Sequence, residues 1–195
     1  MDFSAFKFHP VLALPAGCEV FDFTRGYDPA WALGSPYGIG RYNEKRVGMY
    51  TTELFTRERR DIHLGVDLAG PVGAEVWAFA PGTVWRVGYN GAPGDYGHTV
   101  VTRHALGERV LYALHGHLSA RSGALRAEGE AFEAGAVLGW LGDRHENGGW
   151  NPHLHFQLSW EAPATADMPG VVNDEGRAAA LLRHPDPRLV LGPIY

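Results

Sequence analysis

From about residue 73 the chain repeats one local pattern, a short run of β-branched and aromatic residues followed by turn-forming residues. That pattern most constrains the fold, because such runs fold as antiparallel strands joined by tight turns. Gly73 to Tyr89 alternates, with Val76, Ala78 and Ala80 on one side, and Pro81-Gly82 predicts a turn into Thr83 to Val87. Four more strands are expected at His98 to His104, Arg109 to Leu118, Ala136 to Leu141 and His153 to Trp160. The turns between them lie at Gly91 to Gly97, at Gly129 and Gly135, and at Asn147-Gly148-Gly149.

The expected architecture is mainly β, an antiparallel sheet or barrel-sandwich. Its core spans residues 60–160, with a loop-rich N-terminal extension (1–59) packed on it and a C-terminal extension (161–195). Gly26 to Tyr50, rich in Gly, Tyr and Pro, shows no period and reads as a wrapped loop. Asn173 to Arg183 predicts one short helix, capped by Asn173 or Asp174 and stopped near Pro185. At 195 residues, one unit with extensions is the default.

The net charge of -5 and the lack of a Lys/Arg cluster exclude the electrostatic footprint of a nucleic-acid or anionic-membrane binder. Cys18 is the only cysteine, so no intrachain disulfide forms. Met1 to Pro15 matches a signal peptide poorly, and no apolar run reaches the roughly 18 residues of a membrane span, so a cytoplasmic location is expected.

Three histidine-bearing segments carry the chemistry. The first is His63-Leu-Gly-Val-Asp67. A helix would put His63 and Asp67 on one face, but Gly65 inside it disfavours a helix. A straight strand would hold their α-carbons about 13 Å apart, so a shared ion requires a bend, which Gly65 permits most readily. The second is His153-Leu-His155-Phe156, whose imidazoles leave one strand face about 6.6 Å apart. One can ligate a metal while the other stands beside the open position, although such a pair taken alone equally fits a polar sheet face. The third is His115-Gly-His117-Leu118-Ser119, where the same alternation predicts both rings on one side. Three such segments in one small β unit are explained together by convergence on one metal.

The order H-x-G-x-D, then Gly-His-Leu-Ser, then His-Leu-His-Phe resembles the lysostaphin-type zinc metallopeptidases over residues 60–160. The resemblance implies a fold of the duplicated hybrid motif type, Zn2+ held by His63, Asp67 and His155, and His117 and His153 as catalytic histidines. It implies an endopeptidase acting on a peptide substrate, of peptidoglycan type or Gly-rich. His115 stands where that family usually has Tyr, and the Gly-His-Leu-Ser context favours His117 over it. Gly142-Asp143-Arg-His-Glu-Asn-Gly-Gly-Trp150 is similar to the variant module fused to pyridoxal-phosphate aminotransferases.

Two imidazoles and one carboxylate leave a tetrahedral ion one position for water, whose pKa zinc lowers from 15.7 to about 7. The same ligand count also describes non-haem iron enzymes, although that reading gives His117 and His153 no task. A zinc-binding regulator without turnover is the other alternative; all five positions are nonetheless present. Of the histidines outside the motifs, His145 is the one expected nearest the site, and Trp77, Trp85 and Trp140 are expected to pack rather than bind.

Overall fold

A computed structural model describes residues 3–28 and 36–195. The strands are β1 (Glu19–Val20), β2 (Gly38–Gly40), β3 (Ile62–His63), β4 (Val66–Ala69), β5 (Glu75–Trp77) and β6 (Gly82–Asn90), then β7 (Gly97–Leu106), β8 (Arg109–Leu118), β9 (Ala131–Phe132), β10 (Val137–Trp140), β11 (His153–Ser159) and β12 (Val171–Val172). Eight of them form one sheet in the order β1-β2-β4-β11-β8-β7-β6-β9, and two small sheets pair β10 with β5 and β12 with β3. Every pairing is antiparallel except β1 with β2. The mainly β, antiparallel expectation therefore holds.

The centre of the sheet is the β7–β8 hairpin, in which Gly107 turns at φ 59, the left-handed conformation a two-residue hairpin loop requires. One face of the sheet buries Leu154, Phe156 and Leu158 of β11 with Leu111 and Ala113 of β8 and with Phe79 from the β5–β6 connection. This interior anchors β11, the strand that carries two of the histidines of interest.

The N-terminal region differs from the expected wrapped loop. Gly38-Ile39-Gly40 is fully buried and extends the main sheet, pairing Gly40 with Asp67 of β4. A three-residue strand buried throughout has no alternation to reveal it, and two of its three residues are glycine. Residues 29–35 of that predicted loop lie outside the described residues. A single-turn helix, α1 (Glu53–Thr56), follows.

The predicted C-terminal helix is present as α2 (Arg177–Arg183), shorter at its start because Asn173 Oδ1 accepts from Gly176 N (2.9 Å) and closes a turn before the helix begins. A further turn, α3 (Arg188–Leu191), comes after it. Among the described residues no helix is long and apolar enough to cross a membrane.

Candidate metal centre

His63, Asp67 and His155 form a cluster that could hold a metal ion, the one such group among the described residues. Each arrives by a different local device. His155 and Asp67 are directly paired across β11 and β4, so their side chains leave the same face of the sheet as near neighbours. His63 belongs to β3, which pairs with β12 in a separate sheet, and the chain bends between β3 and β4. The bend falls at Leu64-Gly65, where the sequence places it. Gly65 is needed there for space: a Cβ would lie 2.6 Å from Cε1 and 2.7 Å from Nε2 of His155. Residues 43 and 44 hold His63 from the other side, with Asn43 N donating to His63 O (2.8 Å) and His63 N donating to Glu44 O (3.0 Å).

The three facing atoms make a nearly equilateral triangle. His63 Nε2 is 3.0 Å from His155 Nδ1 and 3.2 Å from Asp67 Oδ1, and His155 Nδ1 is 3.1 Å from Asp67 Oδ1. Nitrogen and oxygen ligands about 2.0–2.1 Å from a tetrahedral zinc stand about 3.3–3.4 Å apart, so the triangle matches within about 0.3 Å.

The proton positions follow from the outer partners. Gln157 Nε2 donates to Pro169 O (3.2 Å), which turns Gln157 Oε1 toward His155 Nε2 at 2.9 Å. His155 Nε2 therefore carries the proton, and Nδ1 points a lone pair into the triangle. His63 Nδ1 lies 2.9 Å from both Arg41 O, which can only accept, and Arg46 Nη2, which can only donate; in the tautomer that donates to Arg41 O, Nη2 reaches the same carbonyl at 3.4 Å. His63 Nε2 then presents a lone pair as well. Three acceptors converging at about 3 Å repel one another unless a cation joins them. Burial pushes His63 down to about 4, helped by the Arg46 charge, so a proton does not fill that role at neutral pH. Burial opposes the charge on Asp67, yet His63 and Arg46 hold its carboxyl well below the usual range. The donor set fits a zinc ion.

His153 and His117 stand beside the triangle. His153 leaves the same strand face as His155, with Nε2 3.6 Å from Asp67 Oδ1. Its Nδ1 donates to Asn151 O (2.6 Å) and that of His117 to Asn147 O (2.8 Å), leaving both Nε2 lone pairs available. Their ring centroids are 4.3 Å apart. Burial lowers both below the ordinary imidazole range, His117 the further, so both are neutral at pH 7.

The expectation that His115 and His117 share a face is overturned. His115 pairs opposite Phe156, packs against that ring at 5.3 Å, and donates Nδ1 to Val100 O on the core side. His117 would follow it in a regular strand, but it adopts φ 63, and this left-handed residue turns its ring to the His155 side. Such a conformation in a non-glycine residue is stored strain, which the bonds from His117 N to Tyr96 O and from Gly142 N to His117 O hold in place. His145 is exposed and lies off the cleft, and Trp77, Trp85 and Trp140 do not line it.

Several residues near the centre carry no motif. The N-terminal region lines the cleft with Phe21, Phe23 and Tyr50, opposite Tyr96 and Trp150. Asn147 is fully buried and ties its own loop, accepting from Gly149 N and Trp150 N and donating to Gly142 O and Trp150 O. Gln157 was legible as the third member of the His153-His155 face; Arg46 and Tyr96 gave no local signal.

Two imidazoles and a carboxylate converging from two sheets, with two further neutral imidazoles alongside, are the equipment of a hydrolase. The chain belongs to peptidase family M23, whose pattern matches residues 61–167. It is 41% identical over 96 residues to the DD-carboxypeptidase/endopeptidase Mpg of Neisseria meningitidis serogroup B, covering 49% of this chain and 20% of that protein. It is 32% identical over 154 residues to the peptidoglycan DD-endopeptidase ShyC of Vibrio cholerae serotype O1, covering 75% of this chain and 32% of that protein. The chain thus spans a third or less of the length of these relatives. Among solved structures it is similar to a zinc-containing peptidase from Vibrio cholerae (26% identity, TM-score 0.45, 60% of this chain and 31% of that one). It is also similar to the catalytic domain of lysostaphin from Staphylococcus simulans (19% identity, TM-score 0.48, 76% and 96%).

Proposed function

We propose that the chain is a zinc metalloendopeptidase in which His63, Asp67 and His155 hold the metal and His117 and His153 handle protons. The observation that carries this reading is the triangle of converging lone pairs with edges of 3.0–3.2 Å. Zinc held by these residues supplies Lewis acidity, polarising the scissile carbonyl and acidifying a water molecule. His117 and His153 supply the proton traffic. Each has Nδ1–H committed to a backbone carbonyl, which fixes its tautomer and aims a basic Nε2 at the cleft. Their lowered pKa values keep that nitrogen unprotonated and ready to accept a proton from water, and the resulting imidazolium can return it to the leaving amine. The second imidazole of the pair, once protonated at Nε2, can stabilise the oxyanion.

The substrate class is a peptide of the peptidoglycan type, as in the name of the Vibrio cholerae endopeptidase, or a Gly-rich peptide. The similarity of Gly142 to Trp150 to aminotransferase-fused modules extends this proposal to a peptide met outside the cell wall. Metal quantification and peptide turnover on the wild type, His63→Ala and His117→Ala test the assignment. His63→Ala should lose zinc, whereas His117→Ala should keep it and lose turnover; equal zinc loss in both overturns the sorting of ligands from proton carriers. Iron with oxygen-dependent turnover, or zinc with no peptide cleaved, replaces the reading by one of its two rivals.

A further inference from the structure

Asp67 has two oxygens, and only Oδ1 belongs to the triangle. Oδ2 accepts from Arg46 Nη1 at 2.7 Å. Arg46 is almost wholly buried, with 2% of its side chain exposed. It comes from the N-terminal region, outside residues 61–167. A buried guanidinium is costly unless its charge and its donors are met. Here Nε faces Glu44 Oε2 at 3.2 Å, and Nη1 also reaches Tyr50 OH at 3.0 Å. Glu44, itself buried, pairs with Arg41 Nη2 at 2.7 Å, and Arg41 pairs with Asp22 at 2.8 Å. Charges therefore alternate from the triangle to the surface through Asp67, Arg46, Glu44, Arg41 and Asp22.

A second observation points the same way. Gly40, paired with Asp67 in the sheet, has no room for a side chain: a Cβ would lie 2.7 Å from Arg46 Nη2 and 3.1 Å from Asp67 Oδ2. The strand that the N-terminal region adds to the sheet thus leaves an opening at the point where the guanidinium crosses to the carboxylate.

We infer that Arg46 is a positioning residue for the metal centre: by occupying Oδ2 it leaves Asp67 only Oδ1 to offer, making it a one-oxygen ligand. This inference rests on the proposed zinc site. Its consequence is coordination number. A carboxylate free to use both oxygens would take up space that the open position needs, whereas one restrained by a charge-assisted bond keeps a fixed direction. The N-terminal region, on this account, completes the centre.

The test strips the chain of metal, titrates Zn2+ against a competing chromophoric chelator, and records the visible absorption of the Co2+ form. The comparison covers wild type, Arg46→Gln, Arg46→Lys and Met49→Leu. Met49 Sδ touches Arg46 Nη1 at 3.6 Å. Arg46→Gln should weaken zinc binding about 10–100-fold. It should also dim the Co2+ bands per bound ion, because tetrahedral Co2+ absorbs more strongly than five- or six-coordinate Co2+. Arg46→Lys, retaining charge without the planar fork, should fall between the two on both readouts. Met49→Leu should lower Tm and alter neither.

Wild-type affinity and spectrum in Arg46→Gln overturn the inference; if that variant fails to fold, the same result in Arg46→Lys does so. Altered bands in Met49→Leu would reduce Arg46 to a packing residue and also overturn it. A wild type that binds neither metal removes the proposed zinc site and this inference with it, whereas wild-type binding with indifferent Arg46 variants removes this inference alone.

Discussion

Substituting Gly65 by alanine tests whether the His155 ring is pinned where the triangle needs it. Gly65 is not in the left-handed region, so its backbone accepts alanine and the effect is one of space. The added Cβ would stand 2.6 Å from His155 Cε1, where ordinary contact begins near 3.4 Å, and 2.9 Å from Phe156 O. The ring must retreat by the difference, about 0.8 Å, because the backbone carbonyl is fixed by its strand. That displacement compares with edges of 3.0–3.2 Å, so Nδ1 leaves the geometry that an ion requires. Overpacking of this kind costs about 1–3 kcal/mol, and an error near 1 Å at a reacting centre costs about 100-fold in rate. Zinc affinity should fall about 10–100-fold, equivalent to about 1.4–2.7 kcal/mol. Chelator competition and Tm with and without EDTA measure both effects. Gly123→Ala, where a Cβ meets only Val87 Cγ1 at 3.8 Å, is the control. Gly65→Ala with wild-type zinc affinity and an unchanged metal-free Tm would refute the reasoning.

Four further outcomes are expected. His153→Ala should retain zinc while peptide turnover drops about 10²–10⁴-fold, and a variant with full turnover would exclude His153 from proton transfer. Gln157→Leu strands Pro169 O and leaves the buried His155 Nε2–H only Tyr96 OH at 3.3 Å, so urea denaturation should show a loss of about 1–3 kcal/mol; an unchanged midpoint would contradict the bonds assigned to Gln157. EDTA should lower the Tm of the zinc-loaded protein, by the equivalent of about 2.7 kcal/mol where free zinc had stood 100-fold above its Kd, and no shift would argue against a bound metal. His104 sits away from the centre and burial pushes it down to about 4 from 6.5. Because its folded value is the lower one, the unfolded chain takes the proton first. Its share of stability is thus whole above pH 6.5 and is lost as pH falls toward 4, by about 3 kcal/mol, so His104→Gln should flatten urea midpoints against pH across that window.

The parts of the site legible in the sequence are those set by strand periodicity and by a glycine's freedom. A period of two puts His153, His155 and Gln157 on one face, and the distance argument forces a bend at Gly65. The failures share one cause, which is structure decided by distant partners. His117 defeats the alternation through a left-handed backbone that Tyr96 and Gly142 hold in place from other parts of the chain. Gly38-Ile39-Gly40 has no strand signature of its own and becomes a strand because β4 offers it a free edge. Arg46, one of 17 basic residues, has nothing in its neighbourhood to distinguish it, and only the fold places it on Asp67.

These failures also bear on how the site keeps its shape. The Asp67–His155 pair across β4 and β11 is held by sheet register, and a slip of one residue would send Asp67 or His155 to the opposite face. Register there is fixed on both sides, by β8 next to β11 and by β2 next to β4. With residues 38–46 absent, β4 would be an edge strand with unpaired backbone groups, and Asp67 Oδ2 would lose Arg46. The N-terminal region therefore closes the sheet edge and orients the carboxylate through one segment, residues 38–46. Damage to that segment should disturb metal binding and the stability of β4 together, even though its residues lie outside the stretch that carries the His and Asp motifs.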